Sequence, residues 1–141
     1  MAKKSRVMSK FRIAISSSFK ELWRYNLVAI CELCSADGER LDYKAEESFI
    51  APVGSNLKGV PMGYDDKRTI LIESGEGDFV NILLYVIPHT LPSSDDIYAV
   101  KPFALVVKVE RDAEIVVNQS FEINQWSGDN ISLERVGGPD K

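Results

Sequence analysis

The sequence predicts an all-β protein, an antiparallel two-sheet β-sandwich of about eight strands. Three observations predict it. Short runs rich in β-branched and aromatic residues alternate apolar and polar at period two, as in Phe11-Arg12-Ile13-Ala14-Ile15. Glycine, aspartate and proline turn signals separate those runs at short intervals. No stretch makes a clear amphipathic helix. Strands apolar on one face alone suit two sheets packed face to face.

The first strand is read over 11–19, with Phe11, Ile13 and Ile15 on the buried side. The second covers 22–33, where Trp23, Tyr25, Leu27, Ala29, Cys31 and Leu33 form one continuous apolar face. Val28 and Ile30 make its middle apolar on the other face too, as in a strand that passes under cover. A helix is the rival reading of 20–30, and β-branched and aromatic content favours the strand. Asp37-Gly38 is a hairpin turn, and the chain returns as an exposed strand over 41–50, placed at an edge.

Residues 51–67 hold two prolines and three glycines and form the longest structureless run. A short strand at 68–73 follows, then a glycine-rich turn at 74–78. The run 79–87 is apolar on both alternating faces, and with 103–109 it is expected to form the centre of the fold. A proline-bounded loop, 88–102, joins them. After a polar turn at 110–113 come strands at 115–123 and 131–136, separated by a turn at 126–130.

The chain has 141 residues, 45% hydrophobic and 27% charged, the composition of one soluble domain with a sizeable core. The expected organisation is a basic flexible arm over 1–9, one sandwich domain over 10–136 and a frayed end over 137–141. Lys3, Lys4, Arg6, Lys10 and Arg12 give the first twelve residues a charge of +5 in a chain whose net charge is −4. Such an arm suits an anionic partner or membrane surface, while a solvated tail explains it more simply. Nucleic-acid binding would rest on the arm alone and is not favoured. No cleavable secretory signal is legible in the first twenty residues, because Arg12 and three serines interrupt the apolar run. No segment reaches the roughly 18 apolar residues of a membrane span. Two cysteines are too few for a secreted disulfide scaffold, so the expected setting is soluble, reducing and cytoplasmic.

Each candidate chemistry has a plainer explanation. Cys31-Glu32-Leu33-Cys34 lacks the further ligands of a zinc site, and on a strand positions i and i+3 face opposite ways. Buried strand cysteines are the better reading. A hydrolase using the single histidine, His89, with Asp95 or Asp96, is a minor alternative, since no Gly-x-Ser-x-Gly elbow accompanies it. A C2-like module binding calcium or anionic lipid through Asp65, Asp66, Asp95, Asp96 and Asp129 is the second reading. Gly75-Glu76-Gly77-Asp78 is acidic and opens a strand, unlike a phosphate loop. No catalytic residue, resident metal or cofactor is expected.

The pattern is shared by C2-like, transthyretin-like and immunoglobulin-like domains, and it carries the diagnostic motif of none. The first functional reading is therefore a non-enzymatic interaction or assembly module, part of a multi-protein complex or a homo-oligomer. Its contact candidates are Lys3, Lys4, Arg6 and Lys10 on the arm, Tyr64 in 51–67, His89 and Leu91 in 88–102, and Trp126 in the last turn. Edge strands at 41–50 or 131–136 would add to another chain's sheet.

Overall fold

The computed structural model describes residues 8–48, 69–90, 92 and 100–138. Eight strands follow one another: β1 (Ser9–Ser16), β2 (Tyr25–Cys34), β3 (Arg40–Glu47), β4 (Ile70–Gly77), β5 (Phe79–Pro88), β6 (Phe103–Arg111), β7 (Glu114–Ile123) and β8 (Asp129–Val136). They form two four-stranded sheets, ordered β4-β1-β6-β7 and β3-β2-β5-β8, with every pairing antiparallel. The protein is an all-β two-sheet sandwich. Both strands read as edges, 41–50 and 131–136, are edges of the second sheet among the described residues.

The core comes from alternation. Phe11, Ile13 and Ile15 of β1 and Leu105, Val107 and Val109 of β6 are almost wholly buried. They meet Leu27, Ala29 and Cys31 of β2 and Val80, Ile82, Leu84 and Val86 of β5. Side chains at every second position point into the space between the sheets, where each buried large side chain contributes about 1.5–3 kcal/mol of hydrophobic stabilisation.

The pairing β2–β5 is the longest uninterrupted register, from Tyr25 opposite Pro88 to Cys34 opposite Phe79. The two runs read as the centre of the fold, 79–87 and 103–109, do not pair with each other. β5 and β6 lie in different sheets, because the chain crosses from one sheet to the other between them. The connections after β1, β3, β5 and β7 all leave from one end of the sandwich. The β2–β3 and β6–β7 hairpins and Asp78 lie at the other.

Two local boundaries also differ from expectation. Leu22–Arg24 is a 3-10 turn rather than the start of β2, closed by Arg24 N–H donating to the Glu21 carbonyl at 3.0 Å. Strand β4 runs through Gly75 to Gly77, so only Asp78 is left to make the crossing to β5. Gly77 permits this because its backbone passes close to Leu33. A Cβ there would sit 2.5 Å from Leu33 Cδ1. Asp78 fastens the crossing: its N–H donates to the Cys34 carbonyl, and its Oδ2 accepts the Ala36 N–H, both at 2.8 Å.

The β6–β7 hairpin turns on Asp112 (φ 51°) and Ala113 (φ 71°), the pair of positive angles a type I′ turn requires. Alanine is a poor residue there, since its Cβ crowds the backbone at a cost of about 1 kcal/mol. Ala113→Gly relieves that strain, and glycine's larger unfolded-state entropy offsets part of the gain. Thermal unfolding of Ala113→Gly is expected about 2 °C above the parent. A lower Tm would show that the turn is relaxed as it stands.

Candidate functional site

Strands β2 and β5 each lie between two neighbours, so both must supply a full ladder and two faces. Their inner positions fill the core. Their outer positions are Val28, Ile30 and Glu32 on β2 and Asn81, Leu83, Tyr85 and Ile87 on β5. The register sets these side by side. One row across the sheet reads Ala45, Ile30, Leu83, Ser132, and the next reads Glu47, Val28, Tyr85, Asn130. Leu83 is 40% exposed and Ile87 38% exposed, and Tyr43 and Leu41 on β3 are more open still. The outer face of this sheet is therefore apolar at its centre, with no described residue packed over it.

The opposite sheet presents a different surface. Its outer positions include Arg12, Lys108 and Glu110, linked by Arg12 Nη1–Glu110 Oε1 at 3.9 Å and Lys108 Nζ–Glu110 Oε2 at 3.6 Å. Arg12 also faces Glu73 across β1 and β4 at 3.4 Å. Leu71 on β4 and Ile115 on β7, 43% and 52% exposed, lie on this face too, so it mixes ion pairs with separated apolar residues. The other face differs in gathering its apolar residues into adjacent central rows.

A polar rim borders the apolar rows. Arg40 Nε donates to Glu32 Oε2 at 2.9 Å, and Asn81 Nδ2 donates to Glu32 Oε1 at 2.9 Å. The Asn81 amide, and after it Arg40, hold the Glu32 carboxyl below the usual carboxylate range. The Arg40 guanidinium also lies 5.4 Å from the centre of the Tyr43 ring. Beside Glu32, a shallow groove of ≈ 400 Å³ runs past Asn81, Leu83, Ser132, Glu134 and Arg135. An apolar centre with aromatic residues and a hydrogen-bonded polar rim is the usual composition of a protein-docking face.

Of the contact candidates, Lys3, Lys4, Arg6, Tyr64 and Leu91 lie outside the described residues, as do Asp65, Asp66, Asp95 and Asp96. Lys10 is exposed on β1, its backbone N–H held by Asp112 Oδ1 at 2.9 Å. Asp129 is exposed at the start of β8, and its Oδ1 accepts the Asn130 N–H at 2.8 Å. Among the described residues no three His, Cys, Asp or Glu side chains gather as metal ligands.

His89 is corrected as a surface contact. It is 1% exposed, and its Nε2–H donates to the Trp23 carbonyl at 2.6 Å. Its backbone N–H donates to the Arg24 carbonyl at 2.9 Å. The residue fastens the end of β5 to the 3-10 turn. Trp126 is half-buried, with its indole N–H enclosed and no acceptor among the described residues. Its nitrogen faces inward, so it is not the open aromatic that its place in a turn suggests.

A second constellation went unread in the sequence. Arg24 is 2% exposed, in a position where alternation with Trp23 and Tyr25 suggests an outward residue. Its Nε donates to Glu21 Oε1 at 3.0 Å, and its Nη2 donates to Gln125 Oε1. The guanidinium lies 5.3 Å from the Tyr25 ring and 5.7 Å from Phe19, which stacks on Phe103. Tyr25 completes the cluster by donating its hydroxyl to the Gln125 carbonyl at 2.7 Å. The 3-10 turn redirects Arg24 into this cluster, and no short motif announces it. The cluster ties together the β1–β2 and β7–β8 crossings.

Both cysteines are buried and free. Cys31 faces the core, and burial, with Cys34 next in effect, pushes its thiol up to about 11. Burial likewise raises Cys34, whose Sγ lies 3.8 Å from Asn81 Nδ2. These are inert thiols, unlike the low-pKa cysteines of redox motifs.

The fold defines a class, an antiparallel two-sheet β-sandwich of eight strands. No family model matches the chain, and no curated protein matches it. Among solved structures it is similar to a DUF4425 family protein from Bacteroides ovatus, at 14% identity and a TM-score of 0.47, covering 89% of this chain and 94% of that one. Among the described residues no helix is long and apolar enough to cross a membrane.

Two adjacent leucines separate core from face. Leu84 is 1% exposed and Leu83 40% exposed. Leu84→Glu buries an unpaired carboxylate at a cost of about 4 kcal/mol or more, a large share of a domain's stability. Leu83→Glu is expected to fold with a melting temperature within a few degrees of the parent. Circular dichroism melts of the two variants check this, and equal losses would contradict the assignment of faces.

The raised acids also predict alkaline behaviour. Cys31 rises from 9.0 to about 11 and Tyr25 from 10.0 to about 12, both chiefly through burial. A raised folded-state pKa means that the unfolded chain ionises first. The stability they contribute is full below pH 9 and is lost as pH climbs through about 11 and then 12. Melting temperature should hold to about pH 9 and then fall, with Cys31→Ala removing the first part of the fall. A profile flat to pH 11 would contradict it.

Proposed function

We propose that this chain is a non-enzymatic interaction or assembly module that offers one outer sheet face to a protein complex. The observation that carries the reading is the apolar centre of the β3-β2-β5-β8 face, where Ile30, Leu83, Tyr85 and Ile87 stand in adjacent rows. Exposed leucine and isoleucine in register are costly to keep in water, and a docking partner removes that surface from solvent. The Glu32–Arg40–Asn81 rim supports the same reading, because it orients a partner through polar contacts around an apolar centre. Tyr43 and Tyr85 add aromatic residues of the kind that anchor interfaces. Free, unreactive cysteines fit a reducing setting such as the cytoplasm.

A photo-crosslinking residue at Leu83, compared in cells with one at Ala104 on the opposite outer face, tests this. The expected result is a discrete protein adduct of defined mass from Leu83 and none from Ala104. Absence of adducts from Leu83, or the same adducts from both positions, would overturn the reading.

A further inference from the structure

We propose that β3 pairs with β3 of a second copy of this chain, antiparallel and about a two-fold axis through Tyr43, so that two four-stranded sheets become one. The proposal goes beyond the docking reading above, because it concerns the open edge of that sheet and not its outer face.

Four strands end the two sheets, and three of them are poor candidates. The charged residues of β4 and β7 are all acidic, so self-pairing brings no opposite charges together. β8 is interrupted at Arg135, which has φ 53° and lays its guanidinium 4.3 Å from the Phe79 ring. β3 differs: it is exposed along all eight residues and sets Asp42 and Lys44 two apart on one face.

The backbone has the right phase. Ser48 N–H donates to the Leu27 carbonyl at 3.0 Å. Counting back by twos, residues 46, 44 and 42 also bond to β2. Tyr43, Ala45 and Glu47 therefore turn their N–H and C=O groups to the open side. Among the described residues, Tyr43 N–H is met there by the neighbouring Asp42 Oδ1, at 2.8 Å. This is an edge held by a side chain that a strand can displace.

An axis through Tyr43 places that residue opposite Tyr43 of the partner subunit, and the two exchange backbone hydrogen bonds. On the adjacent positions Asp42 faces Lys44 of the partner subunit, and by symmetry Lys44 faces Asp42 of the partner subunit. Opposite charges thus fall at non-hydrogen-bonded positions, where side chains across two strands come closest. Asp42 gives up the Tyr43 N–H to a partner carbonyl and gains an ammonium. Lys44, which now donates to the Glu73 carbonyl at 2.7 Å, is exposed and long enough to turn. Arg40 stays on its own Glu32 and over its own Tyr43, steadying the ring at the axis. Moving the axis to Lys44 opposes lysine to lysine and Asp42 to Glu46 of the partner subunit. Moving it to Ala45 sets Lys44 opposite Glu46 of the partner subunit but leaves Asp42 without a cation. Of these registers the Tyr43 axis alone gives both Asp42 and Lys44 an opposite charge.

Sedimentation and light scattering on the full chain read the result. The parent should sediment at twice 15.8 kDa. Asp42→Lys and Lys44→Asp singly should each weaken association roughly tenfold or more, and the double variant should recover it. Under mild oxidation Tyr43→Cys should link two copies through a disulfide at the axis, and Ala45→Cys should not. All four positions are exposed, and circular dichroism confirms that each variant folds. A monomer at about 100 µM, a double variant no better than the singles, or linkage through Ala45→Cys would overturn the proposal. A Leu83 adduct to a different protein, with charge swaps inert, removes self-pairing and leaves the docking reading. A swap-sensitive dimer without any Leu83 adduct does the reverse.

Discussion

The pairing of β2 with β5 is the constraint on which the rest depends. The two strands stay in register over their whole length, from Tyr25–Pro88 to Cys34–Phe79. Each is apolar on both faces, and only one of those faces can pack against the other sheet. The core side takes Leu27, Ala29, Val80, Ile82, Leu84 and Val86. Ile30, Leu83 and Ile87 are left on the outside by the same alternation that buries their neighbours. A one-residue slip would exchange the two sets and put Asn81 and Glu32 into the core. The ladder therefore fixes the core and the outer face together.

The remaining polar devices hold this arrangement in place. Asp78 makes the crossing at one end, and the Arg24–Glu21–Gln125 cluster with its aromatic residues joins crossings at the other. A buried guanidinium of this kind contributes little net stability, because desolvation offsets its contacts, yet removing it would leave its partners unpaired. What it does is join the β1–β2 and β7–β8 crossings at that end of the sandwich. His89 serves the same end by bonding to the backbone of the 3-10 turn.

Most of the fold was legible because each strand is short, alternating and bounded by turn residues. The eight runs and the two edge strands follow from that pattern directly. Which strands share a sheet was not legible: 79–87 and 103–109 are equally apolar, and nothing local says that the chain changes sheet between them. Gly77 reads as part of a turn until its contact with Leu33 shows why a strand needs glycine there. His89 and Trp126 lie in turn-rich sequence that suggests exposure, and tertiary packing encloses them. Arg24 sits at an apparently outward position until a 3-10 turn redirects it. The apolar outer face was half legible. Val28, Ile30 and the 79–87 run announce two apolar faces, but periodicity cannot say whether a second layer of the same chain covers both.

The central proposal is that two copies of this chain associate through the open β3 edge of the β3-β2-β5-β8 sheet. Amide hydrogen exchange of the full chain, compared between dilute and concentrated solution, tests it most directly. Exchange should slow on concentration in peptides covering Arg40–Glu47, where the open edge pairs between copies, and remain unchanged in β1, β4, β6 and β7. Protection that appears only on β4 or β7, or no change anywhere, would contradict the account.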